Sequence, residues 1–73
     1  MKLFMFQSEA KTGLNAFTGD SDGRTLPAKF APWGTTGVVA ATQAVPHGLP
    51  RHEIERAIRA DGFQLWRLQK KQD

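Results

Sequence analysis

Apolar residues recur at helical spacing in one stretch of the chain, residues 51–61. Ile54, Ala57 and Ile58 stand at positions i, i+3 and i+4 there, and charged side chains occupy most of the positions around them. This pattern predicts an amphipathic helix over residues 51–61, with one apolar face turned toward a core.

Both ends of this helix carry sequence signals. The N-cap position falls on Pro50, which has neither an acceptor side chain nor a backbone N–H, so the capping box that Glu53 would complete from position N3 is incomplete. At the other end, Gly62 stands where a left-handed residue terminates many helices, and we expect Phe63 behind it to close over Ile58.

Three other stretches have the composition of β-strands. In residues 2–7 and 63–68, large apolar side chains fall on both of the alternating faces, which predicts strands that are packed on both sides. Residues 35–42 are rich in β-branched side chains and predict a further strand.

The middle of the chain predicts a hairpin. Residues 14–18 can form its first strand, residues 19–23 are dense in turn formers, and residues 24–26 can form its second strand. A short turn between two prolines follows, and we expect Phe30 and Trp33 to anchor it in the core.

The acidic pair in that turn, Asp20 and Asp22 before Gly23, resembles the start of a calcium-binding loop. If Gly23 takes the sixth position of such a loop, Thr18 becomes the first ligand and Lys29 stands at the twelfth position, which requires a bidentate Glu. A polar turn capped by its own Asp side chains is therefore the favoured interpretation.

These elements predict an α+β fold. We expect one small domain over residues 1–69, with a largely antiparallel sheet of four to five strands and one amphipathic helix packed on one face. Residues 70–73 form a polar C-terminal tail in this prediction.

Composition narrows the class of protein. The chain has 73 residues, so its core is small, and self-association would add to its stability. It has no Cys, which excludes disulfides, a thiol nucleophile and sulfur-ligated zinc. The apolar run at residues 3–6 is too short for a signal-peptide core or a membrane span, so we expect a cytoplasmic protein with no membrane association.

Charge is unevenly distributed along the chain. Ten Lys and Arg against seven Asp and Glu give a net charge of +3, and the excess lies in the last third. Glu55 precedes Arg59 by four residues, which favours an ion pair within the helix. The candidate contacts for a partner or a nucleic acid are basic side chains of this region: His52, Arg56, Arg59, Arg67, Lys70 and Lys71.

The sequence offers no pattern for catalysis. His47 and His52 lack the i, i+4 spacing that places two metal ligands on one helix face. Ser8 and Ser21, the two serines, have no nucleophile-elbow setting. We therefore expect no enzyme, no catalytic residues, no cofactor and no metal site.

Two functional hypotheses remain. The first is a small non-catalytic binding or accessory protein that acts on a protein partner through its surface, as a monomer or a homodimer. The alternative is a weak, non-specific nucleic-acid-binding protein that uses the basic C-terminal third. The first is favoured because acidic residues interrupt the basic surface.

Overall fold

Four antiparallel strands form one sheet, in the order β3-β1-β2-β4. The computed structural model describes residues 1–67, apart from the side chain of His47. Its elements are β1 (Leu3–Ser8), β2 (Leu14–Thr18), β3 (Trp33–Val39), α1 (Arg51–Asp61) and β4 (Gln64–Arg67). The predicted α+β class is confirmed, and the predicted tail at 70–73 lies outside the described residues.

The two central strands are apolar on both faces. Met5 pairs with Phe17, and the next residues along, Phe6 and Ala16, pair with each other on the opposite side of the sheet. We call the side of Phe17 the helix face and the side of Ala16 the loop face. Each face therefore needs its own cover of apolar side chains.

Helix α1 covers the helix face. Ile54 is 3% exposed and belongs to one buried cluster with Leu3, Phe17 and Val39, against which Ile58 also packs. Complete burial of an aliphatic or aromatic side chain of this kind contributes about 1.5–3 kcal/mol. The stripe predicted from the sequence is the surface that joins the helix to the sheet.

An irregular segment covers the loop face. Residues 19–32, here called the cover segment, connect β2 to β3 across the sheet. Leu26 of this segment packs with Phe6 and Ala16 in a second buried cluster. Polar anchors hold its far end, because Ser8 Oγ donates to the carbonyl of Phe30 at 2.7 Å and Trp33 Nε1 donates to that of Pro27 at 2.9 Å.

The predicted hairpin is wrong in its second strand. Residues 24–26 form no strand, and β2 pairs with β1 and β4 instead. The hairpin in the structure joins β1 to β2 through residues 9–13. The turn formers at 19–23 open the cover segment, and only Leu26 of the three residues that follow is buried, so residues 24–26 lack the apolar faces of a strand.

Gly62 ends helix α1 as predicted, with φ of 91° in the left-handed region and its N–H bonded to the carbonyl of Ile58 at 2.8 Å. The carbonyl of Gly62 accepts hydroxyl hydrogen bonds from Thr18 and Thr25, at 3.1 and 2.7 Å. The helix end is thereby tied to β2 and to the cover segment.

Phe63 does not close over Ile58 as expected, because the two side chains lie on opposite faces of the sheet. Phe63 packs against the cluster on the loop face, whereas Ile58 packs on the helix face. The reason is strand alternation, because Gln64 pairs with Phe17 on the helix face and the residue before it must point to the other side.

Replacing Gly62 by Ala should lower the free energy of unfolding by more than about 1 kcal/mol, because the left-handed conformation penalises a Cβ. An ideal Cβ there would also lie 3.0 Å from Cβ of Thr25. Gly13→Ala is the matched control, since Gly13 has φ of 85° and a Cβ added to it would have no neighbouring atom within 4 Å. Urea unfolding should show a larger loss for Gly62→Ala, and equal losses would contradict the packing described at the helix end.

Replacing Ser8 by Ala should cost about 1–3 kcal/mol, because it leaves buried partners without hydrogen bonds. The Ser8 side chain is buried, donates to Phe30 and accepts from the backbone N–H of Lys11 at 2.9 Å. Ser21→Ala, at an exposed position of the same residue type, should change stability by less than about 0.5 kcal/mol. Equal urea midpoints for the two variants would show that Ser8 does not anchor the cover segment.

Candidate functional site

The basic residues predicted as contacts lie on two sides of the sheet. His52, Arg56 and Arg59 are exposed on α1, which covers the helix face. Arg67 pairs with Leu14, and this register places it on the loop face. Lys70 and Lys71 lie outside the described residues. Within residues 1–67 these side chains therefore do not form one continuous surface.

One flank of α1 is closed by ion pairs. The Glu55 carboxylate lies 3.5 Å from Arg59, which confirms the predicted pair, and also 3.4 Å from Arg51 Nε and 3.8 Å from the N-terminal amine. Arg51 in turn donates to the carbonyls of Met1 and Ala40. These contacts fasten the helix to the ends of β1 and β3, so this flank has a structural role.

The acidic turn satisfies its own hydrogen-bonding groups. The Asp20 carboxylate accepts the backbone N–H groups of Asp22 and Arg24 at 3.0 and 3.1 Å, and Arg24 pairs with the Asp22 carboxylate at 2.8 Å. The hydrogen bond from the backbone N–H of Asp22 is the main reason that the pKa of Asp20 lies below its usual value. The backbone N–H and the positive charge of Arg24 lower this pKa further. This geometry supports the polar-turn interpretation. No group of three or more His, Asp and Glu side chains within residues 1–67 is arranged to hold a metal ion.

A cleft opens along the other flank of α1, between the start of the helix and β4. Its volume is about 150 Å³. The half-buried Trp66 forms the aromatic part of its wall and stacks on the fully buried Phe17, with ring centroids 5.7 Å apart and planes inclined by 19°. The lining consists of Phe17, Leu49, Pro50, Glu53, Ile54, Gln64 and Trp66. We call this site the α1–β4 cleft.

Glu53 is the charged side chain of the cleft. It is exposed and forms no hydrogen bond or ion pair with any other residue in the described range 1–67. Pro50 is confirmed as the N-cap, without a side-chain capping bond. Glu53 therefore has no capping partner, and no side chain described within residues 1–67 occupies its carboxylate oxygens.

The sequence does not by itself identify the cleft as a site. Its lining comes from β2, from the loop before α1, from α1 and from β4, which only the folded chain brings together. Two signals were present in the sequence: the carboxylate of Glu53 without a capping partner, and the alternation that places Trp66 on the face opposite Leu65.

Comparison with models of known protein families, with curated protein sequences and with solved structures finds no match to this chain. Among the described residues, no helix is long and apolar enough to cross a membrane. The candidate site therefore rests on its own geometry.

The lowered pKa of Asp20 predicts a pH-dependent contribution to stability. Because the folded-state pKa is below the unfolded value of about 3.9, the contribution is present above that pH and disappears as the pH falls through the folded value. Wild type should be more stable than Asp20→Asn at pH 6, and the difference should disappear as the pH falls below the folded-state pKa of Asp20. Urea unfolding across this range measures the difference, and a difference that stays constant to low pH would contradict the account of the turn.

Proposed function

We propose that this chain is a non-catalytic binding protein that receives one side chain of a protein partner in the α1–β4 cleft. The observation that supports this most is the cleft itself, an aromatic and aliphatic recess with a single exposed carboxylate. Clefts of this kind accept the anchor residues that contribute most of the affinity at protein interfaces.

The size of the cleft favours a side chain over a cofactor. Sites for cofactors and drug-sized ligands have volumes of about 300–1,000 Å³, whereas the cleft has about 150 Å³. An engineered apolar cavity of about 150 Å³ in another protein holds one benzene molecule. A ligand group of roughly that size would fill the cleft.

The lining favours binding over catalysis. Glu53 is the one titratable group among the residues that line the cleft. Acid–base or nucleophilic catalysis uses at least two groups in mutual reach, such as a nucleophile and its base. The cleft instead offers apolar contact area and one site for a charge or a hydrogen bond.

We propose the monomer as the binding unit. β3 is the sheet edge away from the cleft, and a homodimer could form there by pairing of two edges. However, the register of β3 against β1 shifts between Met5 and Phe6, which marks a bulge in the edge strand. Bulged edges are one of the devices that prevent further strand pairing.

The first test is an NMR titration of ¹⁵N-labelled protein with N-acetyl amino-acid amides that carry aliphatic, aromatic, basic and acidic side chains. We expect amide shifts confined to the lining of the cleft for at least one probe. Gln64→Trp should abolish these shifts by filling the cleft, and Gln7→Trp, the same change at an exposed site on β1, should preserve them. Shifts that are dispersed over the surface, or absent for every probe, would contradict the proposal.

The second test compares protein capture from native cells, with and without nuclease. A partner retained by wild type and by Gln7→Trp, but lost with Gln64→Trp, is the expected result. Capture that is sensitive to nuclease and lost in Arg56→Glu/Arg59→Glu would favour the nucleic-acid alternative, whose basic residues are exposed on α1. Such binding would also weaken steeply as salt is raised.

A further inference from the structure

We infer that the side chain taken by the α1–β4 cleft is cationic, a lysine or an arginine of the partner, with its alkyl stem on the apolar wall and its head group at Glu53. This inference rests on the proposed function and names the class of ligand for the same site. Three features of the cleft support it.

The first feature is the contrast between the two glutamates of α1, which lie on opposite flanks of the helix. Glu55 has three cationic groups within 3.8 Å, including Arg51 and Arg59. Glu53, on the other flank, has no cationic partner within the described part of the chain. Of these two glutamates, one is already paired and the other has no cation beside it within residues 1–67.

The second feature is the origin of this free carboxylate. A glutamate at position N3 normally bonds back to the N–H of the N-cap residue, but Pro50 has no N–H to offer. The side chain of Glu53 thus stands beside the apolar recess, and within residues 1–67 it has no hydrogen bond that a ligand would have to displace. A cationic head group supplies the donors that Pro50 lacks.

The third feature is the order of surfaces within the cleft. Partly exposed apolar groups of Leu49, Pro50 and Trp66 line it together with the exposed Glu53. Lysine and arginine have the matching order, a flexible alkyl stem that lies along apolar surface and a charged end that remains near water.

Other side chains fit less well. An acidic side chain would place like charges together at Glu53. A purely apolar side chain would fill the recess but would remove water from the Glu53 carboxylate without replacing its hydrogen bonds. The cleft therefore discriminates by charge as well as by shape.

The surroundings also indicate what flanks the cation in the partner. Arg56 is exposed one turn after Glu53 and has no ion pair within residues 1–67. The chain as a whole carries a net charge of +3. A segment with one basic residue beside acidic residues complements this pattern, because its carboxylates would face Arg56 while its cation faces Glu53.

The test uses a pair of probes that differ in charge but have closely similar stems, N-acetyl-lysine amide and N-acetyl-norleucine amide, with N-acetyl-glutamate amide as the acidic comparison. In ¹⁵N-detected titrations of the full chain, we expect lysine to bind in the cleft at least about fivefold more tightly than norleucine, and glutamate not to bind there. High salt should reduce the preference for lysine and leave norleucine binding largely unchanged.

Two variants assign the preference to one carboxylate. Glu53→Gln should make lysine and norleucine bind equally, without loss of norleucine binding. Glu9→Gln, the same change at an exposed position near Gly34 of β3, at the edge of the sheet opposite β4, should leave the fivefold preference intact. Circular dichroism of both variants checks that α1 still forms.

The outcomes separate this inference from the function on which it rests. If norleucine binds in the cleft as tightly as lysine in wild type, or if Glu53→Gln keeps the preference, the cation inference is wrong and the binding function stands. If no probe shifts the residues of the cleft, both are wrong.

Discussion

The structure depends on one constraint: the central strands are apolar on both faces, and the chain has a single α-helix among its described residues to cover them. Helix α1 buries Phe17 on one side. On the other side, Ala16 and Phe6 would face water if the cover segment did not lie across them. An irregular loop has few apolar contacts of its own, so hydrogen bonds to Ser8, Trp33 and Thr18 supplement Leu26 in holding it.

This arrangement determines where the α1–β4 cleft lies. Both faces of the sheet are covered, and the Arg51–Glu55 contacts close the flank of α1 that lies over the ends of β1 and β3. Within residues 1–67, no equivalent ion pair joins β4 to the opposite flank of the helix, where the cleft lies. The cleft thus forms where the edge strand β4 meets the start of the helix, and Glu53 gives it a charge.

The parts of the fold that were predicted are those with local causes. The stripe containing Ile54, the missing cap at Pro50 and the left-handed Gly62 act within one or two helical turns, so the sequence alone identifies them. The error at residues 24–26 arose because turn formers mark a change of direction but do not say whether a strand or a covering loop follows. The cleft was not predictable, since its walls are far apart in the sequence and meet only through the sheet order.

Native-state hydrogen exchange tests the central claim most directly, because it measures whether the cover segment unfolds with the sheet or apart from it. The informative protons are the Leu26 amide, bonded to Gly23, and the Trp33 indole N–H, bonded to Pro27. If the cover segment is integral to the fold, both should exchange with the same free energy of opening as the amides of β1 and β2. Exchange of these two protons through a local opening, a few kcal/mol below that of the strands, would show that the sheet does not need its second cover.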